Sequence, residues 1–203
     1  MMTELHPAKT ILLVVRHGRT GLNVEERYLG ALDPPLDAFG LQQAVALSSK
    51  LCGQADSIVC SPKLRAMQTA RVLATAWGLP MRPIDEFAER NVGVFEGLTK
   101  EEARKTYPTL WEQNITRQWN AGPPGGETIE AVVDRVRRGL NILRHDYPNQ
   151  AVALVAHGFV AKVIRAILLN LSWTEFFIYA MNNGEVERYS LTGDAPLCWP
   201  SGD

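Results

Sequence analysis

The sequence predicts an α/β protein in three layers, with helices on both faces of a largely parallel central sheet. Ile11–Val15 and Ala151–Ala156 are short and wholly apolar, as strands buried on both faces of a parallel sheet are. Between such runs lie stretches with apolar residues at helical spacing. Strands that alternate with helices pack as an α/β/α sandwich.

In chain order, the first strand covers about 10–16. A polar loop bearing Gly and Pro, Thr20 to Pro35, follows it. Leu41, Ala44, Val45 and Leu47 recur at helical spacing and predict a helix from about Gly40 to Leu51. Ser57–Cys60 reads as the second strand. Ser61-Pro62 then starts a helix, serine as N-cap and proline at the first helical position, and Gly78 ends it after Trp77. Met81 to Ile84 suits a short edge strand, where proline is tolerated. The stretch 95–126 is an irregular excursion over the sheet with a short helix near Lys100–Thr106. Thr128 to Asp146 is a clear amphipathic helix. Ile129, Val132, Val133, Val136, Leu140 and Leu143 share one face, while Arg135, Arg137, Arg138 and Arg144 turn largely to others. After the strand 151–156 come a helix from about Phe159 to Leu171 and a last strand near Val186–Leu191. Residues 1–203 are expected to form one domain with loosely held ends, 1–9 and 193–203.

The bulk properties narrow the function. A chain of 203 residues with 46% hydrophobic and 21% charged residues has the composition of an ordinary globular domain. Its net charge of −1 gives no global field to draw nucleic acid or a membrane surface, so neither is an expected partner. Cys52, Cys60 and Cys198 are odd in number and make no metal-ligand spacing. No apolar run reaches the length of a membrane span, and Met1–Lys9 has no signal-peptide core. These features lead to the expectation of a reduced, cytoplasmic protein without metal or cofactor. Homo-oligomerisation is left open.

The chemistry gathers at the strand ends. Both apolar runs stop at His-Gly, His17-Gly18 and His157-Gly158. In α/β sheets ligands bind at the carboxyl ends of the strands. Arg16 beside His17 suggests a nucleophilic imidazole with a guanidinium for phosphoryl oxygens, and Asn23 lies just beyond. Arg65 falls in the first turns of the helix after the second strand, at the same edge. Transfer from an alcohol also needs an acid for the leaving oxygen. Glu86, Glu89 and Glu96 are the candidates, and spacing does not choose among them.

Four blocks taken together resemble the histidine phosphatase superfamily, the phosphoglycerate mutase-like group. They are Arg16–Thr20 with Asn23, Ser61–Ala70, Glu89–Gly97 and Val155–Gly158, in the family's order. The resemblance implies a phosphoglycerate mutase-like fold and no metal or cofactor. It implies His17 as nucleophile, Glu89 as proton donor, and Arg16, Arg65 and His157 as the phosphoryl pocket, with Asn23 and Gly158 at the substrate. It points to a phosphomonoesterase acting through phosphohistidine on a small phosphorylated metabolite. Phosphoglycerate mutase-type transfer is the alternative. It is disfavoured because the stretch that corresponds to the mutases' longer insertion, with Trp111, Arg117 and Trp119, is compact, lacks an Arg-Arg pair, and ends in Pro124-Gly125-Gly126-Glu127-Thr128, close to a phosphatase-branch element. A non-catalytic phosphate-binding module is the second alternative, and the intact residue set argues against it. Arg19 and Lys100 receive no role. Tyr28, Phe87, Trp111 and Trp119 are candidates either for an apolar entrance or, equally, for core packing.

Overall fold

The computed structural model describes residues 9–192 and 197–199. Its sheet has five strands in the order β3-β2-β4-β1-β5. They are β1 (Lys9–Arg16), β2 (Ser57–Cys60), β3 (Met81–Pro83), β4 (Ala151–Ala156) and β5 (Val186–Thr192). β1, β2, β3 and β4 run parallel, and β5 closes the edge antiparallel to β1. Ile11 pairs with Ala151 and Arg16 with Ala156, so the two strands that lead to His-Gly are in register side by side.

Eight helices pack around the sheet among the described residues: α1 (Gly21–Val24), α2 (Ala38–Lys50), α3 (Leu64–Trp77), α4 (Lys100–Thr106), α5 (Pro108–Glu112), α6 (Ile129–Asp146), α7 (Gly158–Leu169) and α8 (Trp173–Ile178). Strand alternation divides the core. Leu12, Val14, Val152 and Leu154 face α6 and α7 through Val132, Val136, Val160 and Ile164. Val15, Ala153 and Val155 face α2 and α3 through Leu47, Ala66, Ala70 and Leu73. Thr128 caps α6 by accepting from Ala131 N–H, and Gly78 ends α3 in the left-handed region at φ +66°.

The structure departs from the sequence reading at several points. α3 begins at Leu64, with Lys63 rather than Ser61 as its N-cap residue; Ser61 Oγ accepts Lys63 N–H at 3.2 Å in the turn that precedes the helix. The loop 20–35 contains α1, closed by a reciprocal capping box between Thr20 and Asn23. The excursion holds a second helix, α5, and has its own small core of Val92, Phe95, Ala103 and Ile115. Residues 1–8, 193–196 and 200–203 of the expected loose ends lie outside the described residues. Leu197 and Trp199 depart from that expectation. Both are buried in the main core, and the Trp199 indole N–H donates to Leu171 C=O at 2.8 Å. Among the described residues, no helix is long and apolar enough to cross a membrane.

Candidate active site

Strand register carries three polar groups to one edge. His17 follows β1, Ser61 follows β2, and His157 follows β4 as the N-cap residue of α7. All three are buried. The two imidazole rings meet edge to face with centroids 5.1 Å apart. His17 Nδ1 lies 2.7 Å from the Gly18 carbonyl, an acceptor, so Nδ1 carries the ring proton and Nε2 keeps its lone pair. Burial first, then the Arg65 and Arg16 charges, hold the His17 pKa well below the ordinary imidazole value. The ring is therefore a neutral base with one free nitrogen. The tight packing behind it requires glycine: a Cβ on Gly18 would stand 2.3 Å from the Gly40 carbonyl oxygen.

Guanidiniums surround this pair. Arg65 is fully buried and donates to Leu32 C=O at 2.7 Å and to Gly30 C=O at 3.3 Å. Arg16 donates to Met181 C=O. Gly158 lets Arg16 approach, since a Cβ there would be 3.3 Å from its Cζ. Among the described residues, four buried polar side-chain atoms lack a hydrogen-bond partner: Arg16 Nε, Arg65 Nε, His157 Nδ1 and the Tyr179 hydroxyl. Three of these belong to the His17 cluster. Leaving such a group unpaired costs about 1–3 kcal/mol. A site holding several such groups is organised to receive an anion.

Glu89 lines the same cavity as Arg16, His17 and Asn23, a space of about 310 Å³. Its Oε1 accepts Arg90 N–H at 2.9 Å, and its charge supports the protonated state of Arg16 and Arg65. The other two candidate carboxylates lie elsewhere. Glu96 accepts Ala31 N–H at 2.6 Å and Leu32 N–H at 3.0 Å, tying down the loop whose carbonyls hold Arg65. Glu86 does not line the cavity, and its carbonyl receives an Arg135 N–H at 2.9 Å. Asn23 is placed as expected. Its Oδ1 accepts from Thr20 N–H at 3.0 Å, so its amide NH₂ is what it can offer the cavity.

Supporting residues escaped the sequence reading. Arg135 is turned inward, only 12% exposed, gripping Glu127 at 2.8 Å and the Ala88 carbonyl at 2.6 Å. Glu127 in turn accepts Asn91 N–H at 2.9 Å, so the two clamp the segment on both sides of Glu89. Gly93 allows the Pro124–Glu127 element to close on it, because a Cβ would lie 2.1 Å from the Pro124 carbonyl oxygen. Burial pushes the neighbouring Arg90 down to about 10, so it still carries its charge at neutral pH. Asn183 donates to the His17 carbonyl at 3.1 Å and is itself held by Gln43 at 2.8 Å. The only signal for Arg135 was its place at the edge of the apolar face of α6. Asn183 had none.

The four aromatic candidates divide between entrance and core. Tyr28 lines the cavity, but Phe87 is fully buried in the core and Trp119 packs edge-on to Trp173 and Trp199. Trp111 packs on the excursion's own core. Phe159 and Phe177 supply the cavity's other aromatic walls. Arg19 pairs with Asp37 at 2.8 Å, and Lys100 lines a neighbouring hollow with Trp111.

The sequence matches the family model of the histidine phosphatase superfamily (branch 1) over residues 12–199. It is 37% identical to a Bacillus subtilis phosphatase, PhoE, over 164 residues, 80% of this chain and 78% of that protein. It is 30% identical to phosphoserine phosphatase 1 of Hydrogenobacter thermophilus, covering 85% and 82% of the two chains. The structure resembles a mycobacterial glucosyl-3-phosphoglycerate phosphatase solved with VO₃, with TM-score 0.78, 30% identity, and 89% and 90% of the chains covered.

Proposed function

The chain belongs to the histidine phosphatase superfamily, branch 1, and is a phosphatase; we propose that it is a metal-independent phosphomonoesterase acting through a phosphohistidine on His17. One observation carries this reading. The neutral Nε2 of His17 stands among three buried, unpartnered donors on Arg16, Arg65 and His157. A nucleophile surrounded by donors that lack acceptors matches a phosphoryl group, whose charge is spread over three oxygens in the transition state.

In the first step His17 Nε2 forms a bond to phosphorus as the ester P–O bond breaks, and Glu89, which takes up a proton from solvent when the anionic ester binds beside it, gives that proton to the departing alkoxide. In the second step water attacks phosphorus and loses its proton to the Glu89 carboxylate. The P–N bond breaks, its electron pair returns to Nε2, and inorganic phosphate leaves. Arg16, Arg65 and His157 hold the phosphoryl oxygens throughout, with Asn23 and the Gly158 backbone beside them. The substrate is a small phosphomonoester, in keeping with the cavity's size and with relatives named for phosphoserine and glucosyl-3-phosphoglycerate. Nucleic acid and membrane are not partners in this reading. The three free cysteines suit work in a reducing cytoplasm.

The test is phosphate release from p-nitrophenyl phosphate and a panel of phosphorylated metabolites, with chelator present. Phosphoserine is the first of the panel. Wild type is expected to turn over and to trap an acid-labile, alkali-stable phosphoenzyme. His17→Ala is expected to lose both, by at least about a thousandfold in rate. A phosphoenzyme of the same lability in His17→Ala would overturn the assignment.

A further inference from the structure

We propose that Asn183 is a positioning residue for phosphoryl transfer. Its amide ties Asn23 to the His17 backbone, and so leaves the Asn23 NH₂, not its oxygen, for the phosphoryl group. The inference rests on the phosphomonoesterase reading and adds a residue that acts through another.

Asn183 lies in the segment between α8 and β5, 160 residues from Asn23. Its Nδ2 donates to the His17 carbonyl at 3.1 Å and to Asn23 Oδ1 at 3.3 Å. A backbone carbonyl accepts and cannot donate, so the Asn183 group facing His17 must be the NH₂. At the other end, Thr20 N–H can only donate, and it meets Asn23 Oδ1 at 3.0 Å. The Thr20 hydroxyl reaches the same oxygen, also at 3.0 Å. Both ends therefore impose one orientation on the Asn23 amide. Asn23 lines the cavity with Arg16 and His17, and its oxygen is already taken by three donors. An amide turned the other way would set its oxygen against the phosphoryl oxygens and repel them.

Asn23 needs such a brace. It belongs to α1, a helix of four residues with none of them buried, so packing does little to hold it. Asn183 is the better anchored partner. Its carbonyl accepts Gln43 Nε2 at 2.8 Å, and Gln43 Oε1 accepts Arg19 N–H at 2.8 Å. On one side of it Met181 C=O takes the Arg16 guanidinium, and on the other Gly184 N–H donates to Arg16 C=O at 3.1 Å. Glu185 closes the turn by accepting Asn182 N–H and Asn182 Nδ2, each at 2.7 Å. The turn 181–185 thus touches Arg16, His17 and Asn23 together, and Asn183 supplies its side-chain link to the last two.

The experiment reads inorganic phosphate binding by calorimetry, which needs no turnover, together with kcat and KM for p-nitrophenyl phosphate. Asn183→Leu keeps the size of the side chain and removes its donors. It is expected to weaken phosphate binding and raise KM by about tenfold, with kcat falling less. Asn183→Ala should behave alike, whereas a role in packing alone would make alanine clearly worse than leucine. Melting curves check that each variant is folded, and the alanine variant carries the test if the leucine variant melts early. Asn23→Ala completes a double-mutant cycle. With Asn23 removed, either Asn183 variant should change phosphate binding by less than about threefold, since the group it positions is gone. Phosphate binding within twofold of wild type in both single variants, or additive losses in the cycle, overturns the role. No phosphate binding in wild type would remove the anion site and this role with it. If wild type binds phosphate but hydrolyses no ester, the hydrolytic reading fails, while the calorimetric cycle still decides Asn183.

Discussion

Ser61 Oγ lies 2.7 Å from His157 Nε2, and both residues are wholly buried. Ser61 Oγ also accepts Lys63 N–H at 3.2 Å. Its own O–H then finds its acceptor in the imidazole Nε2. That places the proton of neutral His157 on Nδ1, the ring atom that has no partner in the protein. The serine thus sets the tautomer of a histidine 96 residues away and turns it into a donor for whatever anion occupies the site.

Ser61→Ala should release that constraint without touching the substrate. The expected result is a fall of about tenfold in kcat, equivalent to ~1.4 kcal/mol and in the range of one lost neutral hydrogen bond. KM should move less, and Ser61→Thr should restore most of the rate. A wild-type kcat and pH profile in Ser61→Ala would show that the contact sets nothing.

Glu96 acts one step further out. Its two oxygens fix the Ala31 and Leu32 amides, and the Leu32 and Gly30 carbonyls fix Arg65. Glu96→Ala is expected to free that loop and cost about 0.5–1.5 kcal/mol of stability, since water can take up the released amides. The functional signature is a raised KM and a raised inhibition constant for inorganic phosphate, with kcat changed less. A kcat loss at constant KM would place Glu96 in the chemistry instead, contrary to its position.

Glu89 is distinguished from its neighbours by leaving-group dependence. Glu89→Gln retains the side chain's size but has no proton to give. Esters with alkoxide leaving groups should lose about 10²–10⁴-fold in kcat/KM, the usual worth of general acid catalysis, while p-nitrophenyl phosphate loses far less. Equal losses on both would remove Glu89 from the acid role.

Legibility in the sequence followed how local each determinant is. β4 runs from Ala151 to Ala156 as read, because a wholly apolar run bounded by polar residues has few alternatives. α6 begins where Thr128 caps it, and α4 spans Lys100–Thr106 as read. Ser61-Pro62 predicts the start of α3 two residues early: Ser61 Oγ does accept Lys63 N–H, but that bond closes a turn and the regular helix begins at Leu64. α8 is six residues long and almost wholly aromatic and polar, too short for periodicity to show. His17, Arg16, Arg65, Glu89 and His157 were legible as motif blocks, and the fold gathers them at one edge. Arg135 and Asn183 were not, since each owes its place to contacts between distant segments.

The two buried imidazoles also make stability depend on pH. His17 and His157 are both held well below the ordinary value of 6.5, first by burial and then by neighbouring charges. In the unfolded chain each takes up a proton near pH 6.5, and in the folded chain each resists doing so. The unfolded state therefore binds more protons just below that value. Their contribution to stability is complete above pH 6.5 and is lost as pH falls through it toward the depressed folded values, by up to about 1.4 kcal/mol per pH unit for each ring. Urea unfolding in phosphate-free buffer should show a clear loss between pH 7.5 and 5.5, a window above most carboxylate titration. His157→Gln should reduce that slope. Saturating inorganic phosphate should flatten it as well, because an anion among Arg16, Arg65 and the two rings favours the protonated imidazoles in the folded state. A flat profile without phosphate would mean that the rings are not held neutral by the fold. The description of His17 as a ready nucleophile would then fail with it.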